Sequence, residues 1–255
     1  MESKYAWLFH GEEGVGKSFI LASAFVDVST GDVKRRGVIL DTEGRLGHLP
    51  IPQDMVVSMR PPYGNPEKLI NNVRKWLRDY RRSIDAGGNP HEVIGLDSLT
   101  ETQFLLRLGM ATEMYQENSK EDDEVLSPRG WGILGDRLAY DIGYMHPTYT
   151  QANLIVTAFA QDNSERERNP DPVKRPALQG QIAKRIGKYF DFVVYVEKKR
   201  IGRGDNAQVV HRYHFQDNGD FVTKNILEHR KLLPAYLDST ADEPLAFDDI
   251  LAYIQ

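Results

Sequence analysis

At 255 residues, with 40% hydrophobic side chains and a formal net charge of −5 at pH 7, the chain is large enough for one α/β domain with a full core. The charge argues against a uniformly basic nucleic-acid binder but leaves room for a local basic site. The chain has no cysteine, which excludes disulfides, thiol catalysis and Cys-ligated zinc, and no apolar run approaches the ~18 residues of a membrane span. We therefore expect a protein of the reducing cytoplasm that does not bind membranes.

The first predicted strand leads into the most informative motif. An apolar run at residues 5–9 precedes the sequence GEEGVGKS, which fits the phosphate-binding loop (P-loop) pattern G-x-x-x-x-G-K-[ST]. Its glycines let backbone N–H groups surround a phosphate, while Lys17, in a solvated loop, reaches the β- and γ-phosphates and Ser18 holds Mg²⁺. Residues 19–26 predict a helix whose positive end faces the phosphates. We therefore predict a nucleotide site formed by Gly11, Glu12, Glu13, Gly14, Val15, Gly16, Lys17, Ser18 and Phe19; a glycine-rich turn without a ligand is the alternative.

Strand and helix signals then alternate, as a parallel sheet with crossover helices requires. Further strands are predicted at 37–41, 55–59, 92–97 and 153–159, and further helices at 65–86, 99–115, 131–144 and 181–189. Segments 190–196 and 207–215 predict an antiparallel hairpin, and 245–254 an amphipathic helix that either packs on the core or captures a partner. The polar segment 116–129 and the charged, proline-containing segment 162–179 are predicted to be loops. No linker marks a second domain.

Polar side chains follow three of these strands, at the edge where an open α/β sheet binds its ligand. Asp97 closes the fourth strand and is a candidate for the Mg²⁺ site; a turn or helix cap is the alternative. Glu43 follows the second strand, where it either deprotonates an attacking water or is a solvated turn residue. Gln161 follows the fifth strand, where it can hydrogen-bond a γ-phosphate and report its loss to the next loop.

Two basic segments are candidates for phosphate contacts. The loop 162–179 contributes Arg166, Arg168, Lys174 and Arg175, but its acidic residues nearly cancel this charge, so an ordinary solvated loop is the alternative. A strand end contributes a second run, which is either a surface face or a trans-acting finger for a neighbouring subunit's phosphates: Lys198, Lys199 and Arg200. His211 and His214 are three apart in a predicted strand. They should point to opposite faces and are not expected to share a metal.

The order of these motifs resembles the RecA-like recombinase core. It runs GEEGVGKS, VILDTEG, VIGLDS and LIVTAFAQ, followed by a charged loop, and the resemblance covers roughly residues 5–199. It implies one RecA-like P-loop ATPase domain over 1–255, with a mostly parallel central sheet flanked by helices and an antiparallel hairpin and helix at 200–255. It also implies that Glu43 is the catalytic base, that Asp97 belongs to the Mg²⁺ site, and that Gln161 couples ATP to a DNA-binding loop.

The short format is similar to the minimal RecA-core ATPases of bacteriophages, some of which are single-strand annealing recombinases. The resemblance implies an ATPase that uses ATP and Mg²⁺, binds single-stranded DNA through loop 162–179, and self-associates into a filament or ring. A single-strand DNA-binding protein is a candidate partner, and the host cytoplasm is the expected location. The segment by which full RecA proteins polymerise is not expected, and the first candidate DNA loop, 116–129, is more acidic than the family pattern. A RecA-fold helicase or motor, and a nucleotide-gated switch with little turnover, stay open as alternatives.

Overall fold

The computed structural model describes residues 3–59, 75–76, 78–80, 82–86, 91–117, 126–162, 173–203 and 207–254. Two predicted DNA-binding residues, Arg166 and Arg168, lie outside these ranges, as do most of the predicted helix 65–86 and part of the predicted loop 116–129. Within that predicted helix, the described residues 75–76, 78–80 and 82–85 are helical.

One mixed sheet organises the described residues. Its strands are β1 Ala6–Gly11, β2 Gly37–Asp41, β3 Val56–Ser58, β4 Val93–Asp97, β5 Asn153–Asp162, β6 Lys174–Pro176, β7 Phe192–Ile201, β8 Gln208–His214, β9 Lys224–Asn225 and β10 Tyr236–Ser239. The strand order is β10-β8-β7-β1-β5-β4-β2-β3, with β6 paired to β5 and β9 paired to β7. The six strands β7-β1-β5-β4-β2-β3 are parallel to their neighbours in this series. The strands β8, β10, β6 and β9 pair with their neighbours in antiparallel orientation. The predicted α/β class with a mostly parallel sheet is confirmed.

The helices flank this sheet. They are α1 Lys17–Ser23, α2 Leu99–Glu117, α3 Pro128–Met145, α4 Pro147–Thr150, α5 Ile182–Arg185 and α6 Phe247–Leu251, with short 3-10 helices at Leu46–His48, Gln53–Met55, Ile186–Tyr189 and Glu228–Arg230. The start of α3 has a local cause: Pro128 occupies its first turn, and the Ser127 side chain accepts a hydrogen bond from the Gly130 backbone N–H. In the described part of the chain, no helix is both long and apolar enough to cross a bilayer.

Both faces of the sheet are buried. Along β1, Ala6 and Leu8 belong to a cluster with side chains of α2 and α3, while Trp7 and Phe9 belong to a second cluster with side chains of α1 and α6. We call these two sides of the sheet the α3 face and the α1 face. Because successive residues of a strand point to opposite faces, a strand covered on both sides must be apolar throughout. This explains the uninterrupted apolar run before the P-loop.

One part of the prediction is wrong, and another is confirmed but incomplete. The segment 162–179 was expected to be a loop, but β5 continues to Asp162 and Lys174–Pro176 forms β6, with Gln161 opposite Arg175. The strand signal is weak there because the strand is short, basic and contains a proline, features that sheet edges tolerate. The predicted hairpin of β7 and β8 is present, but it is extended by β10 on one side, while β9 pairs with the start of β7.

Candidate nucleotide-binding site

The predicted site residues converge on the carboxyl edge of the parallel strands. The P-loop joins the end of β1 to the start of α1, and Asp97 lies beside Asp41 where β4 and β2 end together. An open cleft of 460 Å³ lies at this edge. Its walls are formed by Glu13, Gly14, Gly16, Lys17, Ser18, Phe19, Glu43, Arg45, His48, Leu49, Asp97, Phe159 and His211. The cleft therefore combines the P-loop with the predicted metal and catalytic carboxylates.

The P-loop backbone has the curvature that the motif predicts. Gly14 and Gly16 have φ angles of 71° and 89°, in the left-handed region that glycine adopts readily. Gly16 caps α1, and its carbonyl accepts a hydrogen bond from Ile20 N at 3.1 Å. Such turns aim successive backbone N–H groups at one point, where a phosphate can bind. Val15, also predicted as a nucleotide-binding residue, is buried in the α1-face cluster and anchors the loop.

Lys17 is buried rather than solvated, with 8% of its surface exposed. Its Nζ donates hydrogen bonds to the carbonyls of Gly11 at 3.0 Å and Glu12 at 2.5 Å, and lies 4.9 Å from the centre of the Phe159 ring. Burial lowers the pKa of Lys17 to about 8, although nearby carboxylates, Asp97 foremost, oppose the shift. The ammonium group is held at the bottom of the cleft by carbonyls that phosphate oxygens can replace.

Asp97 and Ser18 meet beside Lys17. The Ser18 hydroxyl donates to Asp97 Oδ2 at 2.9 Å, and the Thr157 hydroxyl donates to Asp97 Oδ1. Asp97 is only 3% exposed, and burial raises its pKa to about 6, with the two hydroxyl contacts opposing the shift and Glu43 adding to it. The Asp97–Ser98 peptide bond is cis.

This pair fits a magnesium site. Mg²⁺ prefers oxygen ligands, and a protein typically supplies one or two of them while the nucleotide phosphates and water supply the rest. Ser18 Oγ and Asp97 Oδ2 are two such oxygens on the side of the cleft next to the P-loop. In the described ranges no group of three or more His, Cys, Asp or Glu side chains could hold a metal by itself. Nucleotide phosphates and water would complete the coordination of a metal held by Ser18 and Asp97.

Glu43 is half-buried and lines the same cleft as Lys17. Its Oε1 accepts a hydrogen bond from the Ser98 hydroxyl at 2.5 Å. The turn that carries Glu43 is fixed by Asp41, whose Oδ1 accepts from the backbone N–H groups of Glu43 at 3.0 Å and Gly44 at 2.7 Å. A carboxylate held in this way, at the edge of a phosphate cleft, can accept a proton from water.

Two hydroxyl residues that the sequence interpretation did not single out connect these carboxylates. The Thr42 hydroxyl donates to the Asp97 carbonyl at 3.1 Å and to the Ser98 carbonyl at 3.0 Å. Thr42 and Ser98 each follow a buried strand directly, next to the functional candidates Glu43 and Asp97. Their position directly after a strand could therefore have identified both residues as part of the site. Their hydrogen bonds position the carboxylates of Asp97 and Glu43.

Gln161 is turned toward the segment that follows β6. Its Nε2 donates to the Leu178 carbonyl at 3.1 Å, and it is not among the residues that line the cleft. Of the predicted DNA-binding residues, Lys174 donates from Nζ to Glu12 Oε1 at 2.6 Å. This ion pair raises the pKa of Lys174 and lowers that of Glu12. Arg175 lines a separate cavity next to α5. The start of β6 is thus attached to the P-loop by a charge pair.

The residues predicted as a trans-acting finger lie on β7. Lys198 is paired with His211 of β8, and a Cβ atom built on Gly14 would lie 3.7 Å from Lys198 Nζ. Lys198 therefore lies next to the P-loop of its own chain. The other two finger residues do not: Lys199 Nζ is 3.9 Å from Glu197 Oε1, and Arg200 is exposed further along the strand.

A scan against protein-family models found no match for this chain, and a search of curated proteins found none either. The P-loop curvature, the buried lysine, the Ser18–Asp97 pair and Glu43 share one cleft at the carboxyl edge of the parallel strands. This arrangement has the groups needed to bind a phosphate chain and to activate water.

Proposed function

We propose that this protein is a RecA-like P-loop ATPase that binds ATP with Mg²⁺ in this cleft. The observation that carries the proposal is the hydrogen bond between Ser18 Oγ and Asp97 Oδ2, 2.9 Å long, directly beside the P-loop lysine. These residues are 79 positions apart in the chain, so a chance motif match would not bring them together. Their contact supports a phosphate site rather than a simple glycine-rich turn.

In the proposed hydrolysis, each residue of the cleft has a separate role. Lys17 exchanges its bonds to the Gly11 and Glu12 carbonyls for bonds to phosphate oxygens, which stabilise the charge of the bound triphosphate. Ser18 and Asp97 are the residues that would hold Mg²⁺. When bound, this ion neutralises charge on the phosphate oxygens. Glu43, held by the Ser98 hydroxyl, accepts the proton of the attacking water.

We further propose that the ATPase acts on single-stranded DNA, as a recombinase or annealing protein that self-associates. The order of motifs along the chain supports this assignment, as does the position of β6. This strand follows the charged segment 163–172 and carries Lys174, which contacts Glu12 of the P-loop. A ligand held by that segment could therefore influence the nucleotide site through a direct contact.

ATP binding is tested with Lys17→Ala, with Lys188→Ala as a control. Lys188 is exposed on a short 3-10 helix away from the cleft. Removing a charged group that binds phosphate should weaken ATP binding by at least ~10-fold, since hydrogen bonds to charged groups contribute ~1.5–3 kcal/mol. Calorimetric titration of the wild type and both variants measures the effect. Equal ATP affinity in all three would exclude the P-loop assignment.

The proposed action on single-stranded DNA and the proposed self-association are tested together. ATP hydrolysis is measured with and without single-stranded DNA, and the same samples are imaged by electron microscopy. Stimulation by DNA and formation of filaments or rings support the recombinase proposal. ATP-driven unwinding of a duplex would favour the motor alternative. Tight ATP binding with no turnover, in the presence or absence of DNA, would favour the nucleotide-gated switch.

A further inference from the structure

The hairpin of β7 and β8 lies beside the P-loop, and His211 of β8 lines the nucleotide cleft. On β7, Val194 and Val196 pack in the α1-face cluster, and Lys198 is the next residue that points to the same side. On β8, Tyr213 belongs to the same cluster, and His211 precedes it on that side. The α1 face is the side on which the P-loop runs into α1. Strand alternation therefore directs Lys198 and His211 toward the P-loop.

The distances agree with this assignment. A Cβ atom built on Gly16 would lie 3.0 Å from His211 Nδ1 and 3.1 Å from Tyr213 Oη, and Tyr213 Oη donates to the Gly16 carbonyl at 3.4 Å. Lys198 Nζ lies similarly close to Gly14, at 3.7 Å from a Cβ atom built there. The two side chains thus flank the two glycines whose backbone curves around the phosphate position.

Within the described ranges, the polar groups of these two side chains form no hydrogen bond or ion pair. In the described part of the chain, no carboxylate forms an ion pair with Lys198, and the His211 ring forms no hydrogen bond. The neighbours on the other face behave differently: Lys199 lies near Glu197, and His214 Nε2 is 3.0 Å from the same carboxylate. Burial, and secondarily the charge of Lys198, lower the pKa of His211, which favours the neutral imidazole with its one N–H donor.

We propose that Lys198 and His211 contact the phosphates of the nucleotide bound to their own subunit, and so complete the phosphate site from the hairpin side. This inference rests on the proposed function, because it needs a nucleotide in the cleft. Lys198 supplies a positive charge and His211 a hydrogen-bond donor to phosphate oxygens. The ligand class is a nucleotide with at least two phosphates, since these two side chains flank the phosphate-binding glycines.

The first experiment measures affinity for ATP, ADP and AMP in Lys198→Ala and His211→Gln. The matched controls are Lys188→Ala, which removes a remote exposed lysine, and His214→Gln, which changes the histidine on the opposite face. We expect Lys198→Ala to weaken ATP and ADP binding by about 10-fold, His211→Gln by about threefold, and AMP binding to change less. Because Lys198 is exposed, its variant should keep the wild-type circular dichroism spectrum. Losses no larger than those of the controls would overturn the proposal.

A second experiment separates a contact within one subunit from a contact between subunits. Lys17→Ala and Lys198→Ala proteins are mixed, and ATP hydrolysis is compared with that of each variant alone. If Lys198 acts on its own subunit, no site in the mixture contains both lysines and hydrolysis stays low. Recovery of hydrolysis would show that Lys198 acts on a neighbour, and would overturn the inference. Failure of the wild type to bind ATP would instead contradict the proposed function itself.

Discussion

The cleft has a largely buried floor, built from the P-loop and the ends of β2 and β4, and an exposed rim, built from the P-loop alone. The floor consists of Lys17, Ser18, Asp97 and Glu43, and its two most buried charges, Lys17 and Asp97, are 8% and 3% exposed. The rim consists of Glu13, which lines the cleft, and its neighbour Glu12. Their side chains are 72% and 66% exposed and pair with Arg45 and Lys174, respectively. Buried charges interact strongly, whereas exposed pairs are screened by water and salt. Residues of the floor should therefore dominate binding and turnover.

The largest expected effect is that of Glu43→Gln on the floor. The amide keeps the shape of the carboxylate but cannot accept a proton from water, so turnover should fall by ~10²–10⁴-fold while ATP still binds. Single-turnover hydrolysis and nucleotide titration measure the two quantities. Glu13→Gln is the matched rim control, because Glu13 lines the same cleft but is exposed and paired with Arg45. Similar turnover losses in the two variants would remove the distinction between floor and rim.

An effect of intermediate size is expected from protonation of His10, which should lower the stability of the folded protein at acidic pH. His10 lies on β1 just before the P-loop. The ring is fully buried, its Nε2 lies 2.7 Å from the Val222 carbonyl, and burial lowers its pKa to about 4. The folded protein thus favours the neutral form, so this contribution to stability is present above the unfolded pKa of about 6.5 and is lost as pH falls toward about 4. Near pH 5 the loss should be roughly 2 kcal/mol.

Urea denaturation of wild type and His10→Gln, at neutral pH and near pH 5, checks this value. The variant carries no group that titrates at this position and can donate to the same carbonyl, so its stability should fall less than that of the wild type as pH decreases. His229→Gln, which changes an exposed histidine, should follow the wild-type curve. An identical pH response in wild type and His10→Gln would mean that His10 does not couple folding to pH.

The smallest effect is expected at the rim, between Glu12 and Lys174. Their charges meet at 2.6 Å, but both side chains are partly or largely exposed, so the pair should contribute less than ~1 kcal/mol to stability. A double-mutant cycle with Glu12→Gln and Lys174→Gln measures the coupling free energy, and raising the salt concentration should reduce it. A coupling free energy well above ~1 kcal/mol that does not change with salt would show that this pair interacts as strongly as buried charges do.

The floor could be predicted from sequence because its signals are local. Each of its residues belongs to the P-loop or lies within two residues of the end of an apolar strand, and the ends of parallel strands meet at one edge. The burial of Lys17 was not foreseen, since the motif says nothing about the Phe159 ring beside it. The opposite orientations of His211 and His214 follow from strand alternation and are confirmed.

The placement of the β7–β8 hairpin beside the P-loop could not be predicted in the same way. The position of His211 beside Gly16 depends on the register between β7 and β8, which pairs residues such as Lys198 and His211 across a turn. Sequence pattern predicts that such strands exist, but not which residues face each other. The short strand β6 was missed for another reason: its basic residues and Pro176 resemble a solvated loop, and only its pairing with β5 defines it.

Gly11, the first residue of the P-loop, is constrained by its close packing against β7, and this limits how the loop can be redesigned. A Cβ atom there would lie 2.1 Å from the Val196 carbonyl oxygen of β7. Any side chain would push β7 away and carry Lys198 with it. In a library that varies every loop residue, Gly11 should therefore tolerate substitution poorly even when selection is for folding alone. Glu12 and Glu13, whose side chains point into solvent, should accept many replacements under the same selection.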